Sequence, residues 1–278
     1  MKTPVRLPAR TLVATIAILT TGLGVLPAEA STKYSFANGS MYTLEYSDPS
    51  APPFVHQATE TRWGRIGSKG RVTALSDDLG LSQVTDADYS PETGLVYVIA
   101  EAYSNSCELW SFDPDDPNGT LQMVSIIERA GFDLANCTSL AINHGSGGMV
   151  AVASSDANTG DFEVDYFMSN TGAYHDTDGG WFSEITAMDF EGSNPLIING
   201  DGQFAFFGTP REGDIKRRGF IHSVKFDDDL TPWILQWGRG VSVGKLLSAG
   251  STVKWGSILR DARTNQRWFS DTLVFIPR

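Results

Sequence analysis

The sequence predicts an all-β fold of about five four-stranded sheets, on three observations. Short apolar or alternating runs of five to eight residues are separated by Gly/Pro/Asp turns. No segment shows a persuasive helical period. A Thr-x-apolar-x-apolar pattern begins at 85, 138 and 186, at spacings of 53 and 48. The composition, 41% hydrophobic and 19% charged with 28 Gly and 13 Pro, is that of an ordinary globular chain.

The clearest unit runs from Val84 to Ile127. Thr85-Asp86-Ala87-Asp88-Tyr89, the turn Ser90-Pro91-Glu92-Thr93-Gly94 and Leu95-Val96-Tyr97-Val98-Ile99-Ala100 read as a hairpin. A third strand over Cys107–Phe112, the turn Asp113–Gly119 and a fourth strand over Thr120–Ile127 complete one up-and-down sheet. The same order returns as Thr138–Ile142, the turn Asn143–Gly148 and Met149–Ser154, and again as Thr186–Phe190, Glu191–Pro195 and Leu196–Asn199. A fourth copy is read at Thr231-Pro232-Trp233-Ile234-Leu235, although proline weakens it as a central strand. Four short strands per period of about 50 residues are the signature of radial repetition, a β-propeller in which neighbouring sheets shield each other. A two-sheet β-sandwich is the alternative, and it supplies no reason for the period. The terminal run Thr272-Leu273-Val274-Phe275-Ile276 is expected to pair with Met41-Tyr42-Thr43-Leu44-Glu45, closing the ring.

Residues 1–30 are expected to be a signal peptide and 31–278 a single domain. Lys2, Arg6 and Arg10 precede an apolar stretch from Thr11 to Leu26, and Ala28-Glu29-Ala30 sets a cleavage site near Ala30/Ser31. That stretch, about 16 residues, falls short of the roughly 20 that cross a bilayer. The expected product is exported, and its two cysteines, Cys107 and Cys137, are then expected to form a disulfide. Removing Lys2, Arg6, Arg10 and Glu29 from 21 basic and 33 acidic residues leaves 18 and 32, a formal charge of −14. Such a chain is repelled by nucleic-acid phosphates and by anionic membranes, so neither is an expected partner.

Ser90-Pro91-Glu92-Thr93-Gly94-Leu95-Val96-Tyr97-Val98-Ile99, followed by Leu109-Trp110-Ser111-Phe112-Asp113-Pro114, resembles the blade pattern of secreted bacterial β-propellers. The resemblance implies a fold and no activity, because propellers host enzymes, lectins and scaffolds. Repeated Trp-Asp dipeptides, sialidase boxes and kelch Gly-Gly pairs are missing from the sequence.

The inner strands of a propeller line its channel, so their acids are the candidate catalytic residues: Asp86, Asp88, Asp189 and the flanking Glu184. Trp233 and Trp237 are candidate binding residues, as flat faces for a sugar or a protein partner. No metal or cofactor site is expected. Asp113–Gly119 lacks the distal glutamate of a calcium loop and reads as a turn, as do Asp156–Asp161 and Asp227–Asp229. His56, His144, His175 and His222 are scattered, and Lys216-Arg217-Arg218 reads as a solvated hairpin. These features together point to a secreted, non-enzymatic recognition module that binds a protein or carbohydrate ligand at one mouth. The alternative is an extracellular carbohydrate-active hydrolase using the four carboxylates at that mouth.

Overall fold

The computed structural model describes residues 34–46, 61–102, 106–127, 134–143, 148–156, 162–179, 184–206, 211–216, 219–247 and 252–278. The chain separates into units 1–30 and 31–278, and all described residues belong to the second. The expected signal peptide, His56, His144, Trp181, Arg217 and Arg218 lie outside the described residues.

Strands β1 (Gly39–Tyr46), β2 (Thr61–Ile66) and β3 (Arg71–Ala74) begin the first sheet. The second contains β4 (Val84–Ser90), β5 (Leu95–Ala102), β6 (Ser106–Phe112) and β7 (Gln122–Ile127), with a one-turn helix α1 (Pro117–Thr120) before β7. The third is formed by β8 (Leu134–Asn143), β9 (Met149–Asp156), β10 (Phe162–Met168) and β11 (Tyr174–Gly179). The fourth has β12 (Ala187–Glu191), β13 (Asn194–Ile198), β14 (Gln203–Phe206) and β15 (Glu212–Asp214). The fifth has β16 (Phe220–Phe226), β17 (Pro232–Trp237), β18 (Val241–Leu246) and β19 (Val253–Ile258). The chain then returns to the first sheet, adding β20 (Arg260–Asp261) outside β3 and β21 (Val274–Pro277) inside β1.

This is a five-bladed β-propeller. The innermost strands β21, β4, β8, β12 and β16 touch in succession, and β16 touches β21, so the ring is closed. Closure follows the expected pairing, with Met41 opposite Phe275 and Tyr42 opposite Val274. A sandwich would bury one continuous layer between two sheets. Here the buried apolar residues fall instead into five clusters, one at each interface between blades. Leu44, Trp63, Val84 and Val98 join the first and second blades; Ala141, Ala153, Met188 and Ile197 join the third and fourth. Each blade is therefore apolar on both faces, which is why its strands read as unbroken apolar runs such as Leu95–Ala100.

Local chemistry sets the hairpins. Gly94 closes the first turn at φ +75, where a side chain would be strained, and donates its N–H to Ser90 O at 2.9 Å. The acids of Asp113–Gly119 cap their own turn: Asp113 accepts from the N–H of Asp115, and Asp116 from that of Gly119. Cys107 on β6 and Cys137 on β8 are bonded, with Cα atoms 6.2 Å apart, so the disulfide ties the second blade to the third. Closing a loop between residues 30 apart in sequence is worth about 3 to 4 kcal/mol in the chain-entropy account.

One repeat assignment is corrected. The copy read at Thr231–Leu235 belongs to β17, the second strand of its blade, where Pro232 stands opposite Phe226. The inner strand is β16, and its copy of the pattern starts at His222. The fourth blade is the most compact, with strands of three to five residues, so counting forward by a fixed period overshoots.

Candidate functional site

With β16 in place, the five inner strands align as Thr85–Tyr89, Thr138–Ile142, Thr186–Phe190, His222–Phe226 and Asp271–Phe275. The first positions, Thr85, Thr138, Thr186, His222 and Asp271, form a ring around one mouth of the channel. The fourth positions include Asp88, Asp189 and Lys225, and the fifth positions face the opposite mouth, where Tyr89, Phe190, Phe226 and Phe275 line a cavity.

Between the mouths lies a buried charge cluster. Lys225, 1% exposed, sits with Nζ 3.6 Å from Asp86 Oδ2 and 3.9 Å from Asp88 Oδ2, and it donates to Leu140 O at 2.7 Å. Asp86 Oδ2 accepts from Ser139 Oγ at 2.7 Å and Leu140 N at 3.0 Å, and Oδ1 from Ser223 Oγ at 3.0 Å. Asp88 Oδ2 accepts from Ile142 N at 2.8 Å. Asp189, at the position equivalent to Asp88, makes the equivalent bond to the next blade, accepting from Phe226 N at 2.5 Å. Aspartates are suited to this: a short acidic side chain on one inner strand reaches the N–H groups of its neighbour, which no ladder satisfies at the centre of the ring.

Asp86, Asp88 and Asp189 share one ammonium, and the titration of Asp86 and of Asp189 is displaced. Burial pushes the Asp189 carboxyl up to about 8, and the Asp88 charge adds to the rise. Burial likewise raises Asp86 to about 6, against the opposing pull of Lys225 and of donors from Leu140, Ser139 and Ala87. Burial disfavours the Lys225 charge, but Asp86, Asp88 and Asp189 together outweigh it and hold its pKa above the usual lysine value. A carboxyl raised in the folded state keeps its proton after the unfolded chain has released it. Stability should therefore be fullest below about pH 4 as far as these two groups act, and fall as pH rises through 6 and 8. Denaturant midpoints measured from pH 5 to pH 9 should decline for the wild type, and more shallowly for Asp189→Asn. A slope unaltered by that substitution would remove Asp189 as its source.

The sequence placed Asp86, Asp88, Asp189 and Glu184 at a single mouth, and the structure separates them. Asp86 is fully buried in the interior, whereas Asp88 and Asp189, each 5% exposed, border the cavity of 290 Å³ at the strand ends, beside Asp227 and Asp228. Glu184 lies at the opposite mouth, in a second cavity of 290 Å³ with His222, Asp271 and Phe220. Trp233 lies in the core rather than at a mouth: it is 2% exposed, its ring meets Phe36 edge-on at 4.7 Å, and its Nε1 donates to Asp227. Trp237 is half-buried, donates to Ser270 O, and stands 5.6 Å from the His222 ring at the edge of Glu184's mouth. His222 Nδ1 is 3.3 Å from Asp271 Oδ1.

Lys225, His222 and Asp271 were missed as site residues. The signal for all three is the register of β16 and β21 against the earlier copies, which sets His222 and Asp271 level with the threonines and Lys225 level with Asp88 and Asp189.

No protein-family model matches the chain, and no curated protein matches it in sequence. Solved structures do match in fold. A chain of the nidogen–laminin complex is 8% identical at a TM-score of 0.50, over 85% of this chain and 98% of that one. An engineered GH43 glycoside hydrolase with endo-xylanase and exo-arabinofuranosidase activity is 11% identical at a TM-score of 0.50, over 87% of this chain and 53% of that one. TolB from Acinetobacter baumannii is 10% identical at a TM-score of 0.47, over 82% of this chain and 56% of that one. At such identities the likeness is one of fold, shared by propellers that bind and propellers that catalyse.

Proposed function

We propose that this protein is a secreted, non-enzymatic recognition module whose ligand sits at the mouth formed by the first residues of the inner strands. The observation carrying this reading is the state of the acids. Asp86, Asp88 and Asp189 accept backbone N–H groups of adjoining blades, and the first two also pair with a buried lysine. Groups held this way fasten the ring and are poorly placed to touch a substrate. The mouth bearing Glu184, His222 and Asp271 offers instead a concave, partly aromatic recess on a rigid scaffold, the usual setting of a binding site. Export is supported by the Cys107–Cys137 disulfide.

A second reading, an extracellular carbohydrate-active hydrolase, is favoured by one observation. Asp88 and Asp189 border the same cavity, and Asp189 is raised to about 8, so it would stay protonated as a general acid. A panel of chromogenic glycosides separates the two. The recognition reading expects no turnover above background; hydrolysis abolished by Asp189→Asn, in a variant that keeps the wild-type fold, would replace it with the hydrolase.

A further inference from the structure

We propose that the mouth ringed by Thr85, Thr138, Thr186, His222 and Asp271 binds an organic ammonium group; the proposal rests on the recognition reading and names its ligand class. The argument starts from which hydrogen-bonding capacity remains at this mouth. A threonine hydroxyl has one proton and two lone pairs. Thr85 Oγ1 donates to Ile99 O at 3.5 Å and Thr186 Oγ1 to Ile198 O at 3.3 Å, each on the second strand of its own blade, while Thr138 Oγ1 donates to Ile185 O. The Thr138 proton is thus turned into the protein, leaving its oxygen as an acceptor at the cavity, while Thr85 and Thr186 make only long contacts and keep hydroxyls free to turn and accept.

Glu184 and Asp271 add carboxylates to the same wall. The donors there are the Gln83 amide and the His222 ring, whose Nδ1 faces Asp271. Among the described residues lining this cavity there is no lysine or arginine. The recess is therefore rich in acceptors, negative in sign, and set in a chain of charge −12 that raises the local concentration of cations.

A sugar hydroxyl needs donors and acceptors in comparable number. An ammonium needs acceptors alone and supplies the opposing charge. Phe220 gives such a group an aromatic face: it is 38% exposed and lies 5.0 Å from the His222 ring, and its cross-strand partner Trp237 lies 5.6 Å from the same imidazole. Gly200 permits this placement, because a Cβ there would come within 2.3 Å of the Phe220 ring and 3.1 Å of Glu184 Oε2. The cavity volume of 290 Å³ suits one small head group. The ammonium could belong to a free amine or to a lysine side chain of a partner protein; the chemistry at the mouth is the same.

Calorimetric titration of the full chain tests this with ethanolamine, N-acetyl-lysine methylamide, a trilysine peptide, glucose and gluconate. Binding is expected for the three cations and not for glucose or gluconate. Trilysine binding tighter than the single lysine points to a protein-borne group, and equal affinity to a free amine. Glu184→Gln and Asp271→Asn should each weaken cation binding by roughly tenfold or more, whereas Asp228→Asn at the opposite mouth should leave it unchanged. Because Asp271 is buried, Glu184→Gln is the variant that decides if Asp271→Asn fails to fold. No cation binding, or cation binding insensitive to Glu184→Gln, overturns the proposal. Glucose binding without turnover would also overturn it while leaving the recognition reading intact; glycoside turnover would overturn that reading instead.

Discussion

Replacing Lys225 with methionine should destabilise the protein by about 3 to 5 kcal/mol at pH 8, the usual consequence of stripping one partner from a buried ion pair. Methionine fills a similar volume, so the loss isolates charge from packing. Lys225 is the single cation in contact with Asp86 and Asp88 among the described residues, and it also donates to Leu140 O and Met188 O on two other inner strands. Without it, three carboxylates would face one another in the centre of the ring, and Asp86 and Asp189 would lose the charge that opposes their protonation. The deficit should therefore shrink as pH falls towards 5, and stability should depend on pH more steeply than in the wild type. Adding Asp86→Asn and Asp189→Asn to the lysine variant should restore part of the loss. Urea unfolding at pH 5 and pH 8 checks both points. A Lys225→Met midpoint equal to wild type at pH 8 would show that the cluster contributes nothing to folding.

Deleting residues 271–278 should have an effect of the same order or larger, abolishing a cooperative melting transition. The deletion removes β21 and with it the inner strand of the first blade. Leu273 and Val274 are fully buried, and each accounts for about 1.5 to 3 kcal/mol of apolar burial. Thr272 Oγ1 accepts the N–H of Leu44, and the N–H of Leu273 is donated to Ser223 Oγ, so polar groups on two other strands would lose their partners. Summed, these losses rival the roughly 5 to 15 kcal/mol that hold a typical domain together. Circular dichroism melts of the full and shortened chains decide the matter; an unchanged melting profile would show that the ring does not depend on its last strand.

Different parts of this molecule were legible in the sequence to different degrees, for physical reasons. The blade from Val84 to Ile127 was readable because its turns are written in local chemistry: Pro91 and Gly94 at one, Asp113 to Gly119 at the next. Ring closure was readable because Thr272–Ile276 is an apolar run that otherwise has no partner near it in sequence. The fourth inner strand was misplaced because His222-Ser223-Val224-Lys225-Phe226 carries a lysine where an inner strand is expected to be apolar, while Thr231–Leu235 has the right residue types in the wrong strand. Lys225 is tolerable there only because Asp86, Asp88 and Asp189 come from elsewhere in the ring, a juxtaposition that linear spacing does not encode. The acids were found and their placement was not: strand period two puts Asp86 and Asp88 on one face, but it does not say that the face is covered by the next blade.

The pairing of Met41 with Phe275 also sets a clock. A ribosome adding about 5 to 20 residues per second needs roughly ten to fifty seconds to travel between those two positions, and throughout that interval the opening hairpin has an unzipped margin that any sticky neighbour can occupy. Nascent chains of this design gain from being kept extended until the final segment emerges, and their slowest refolding step in the test tube should be the late meeting of the two tails.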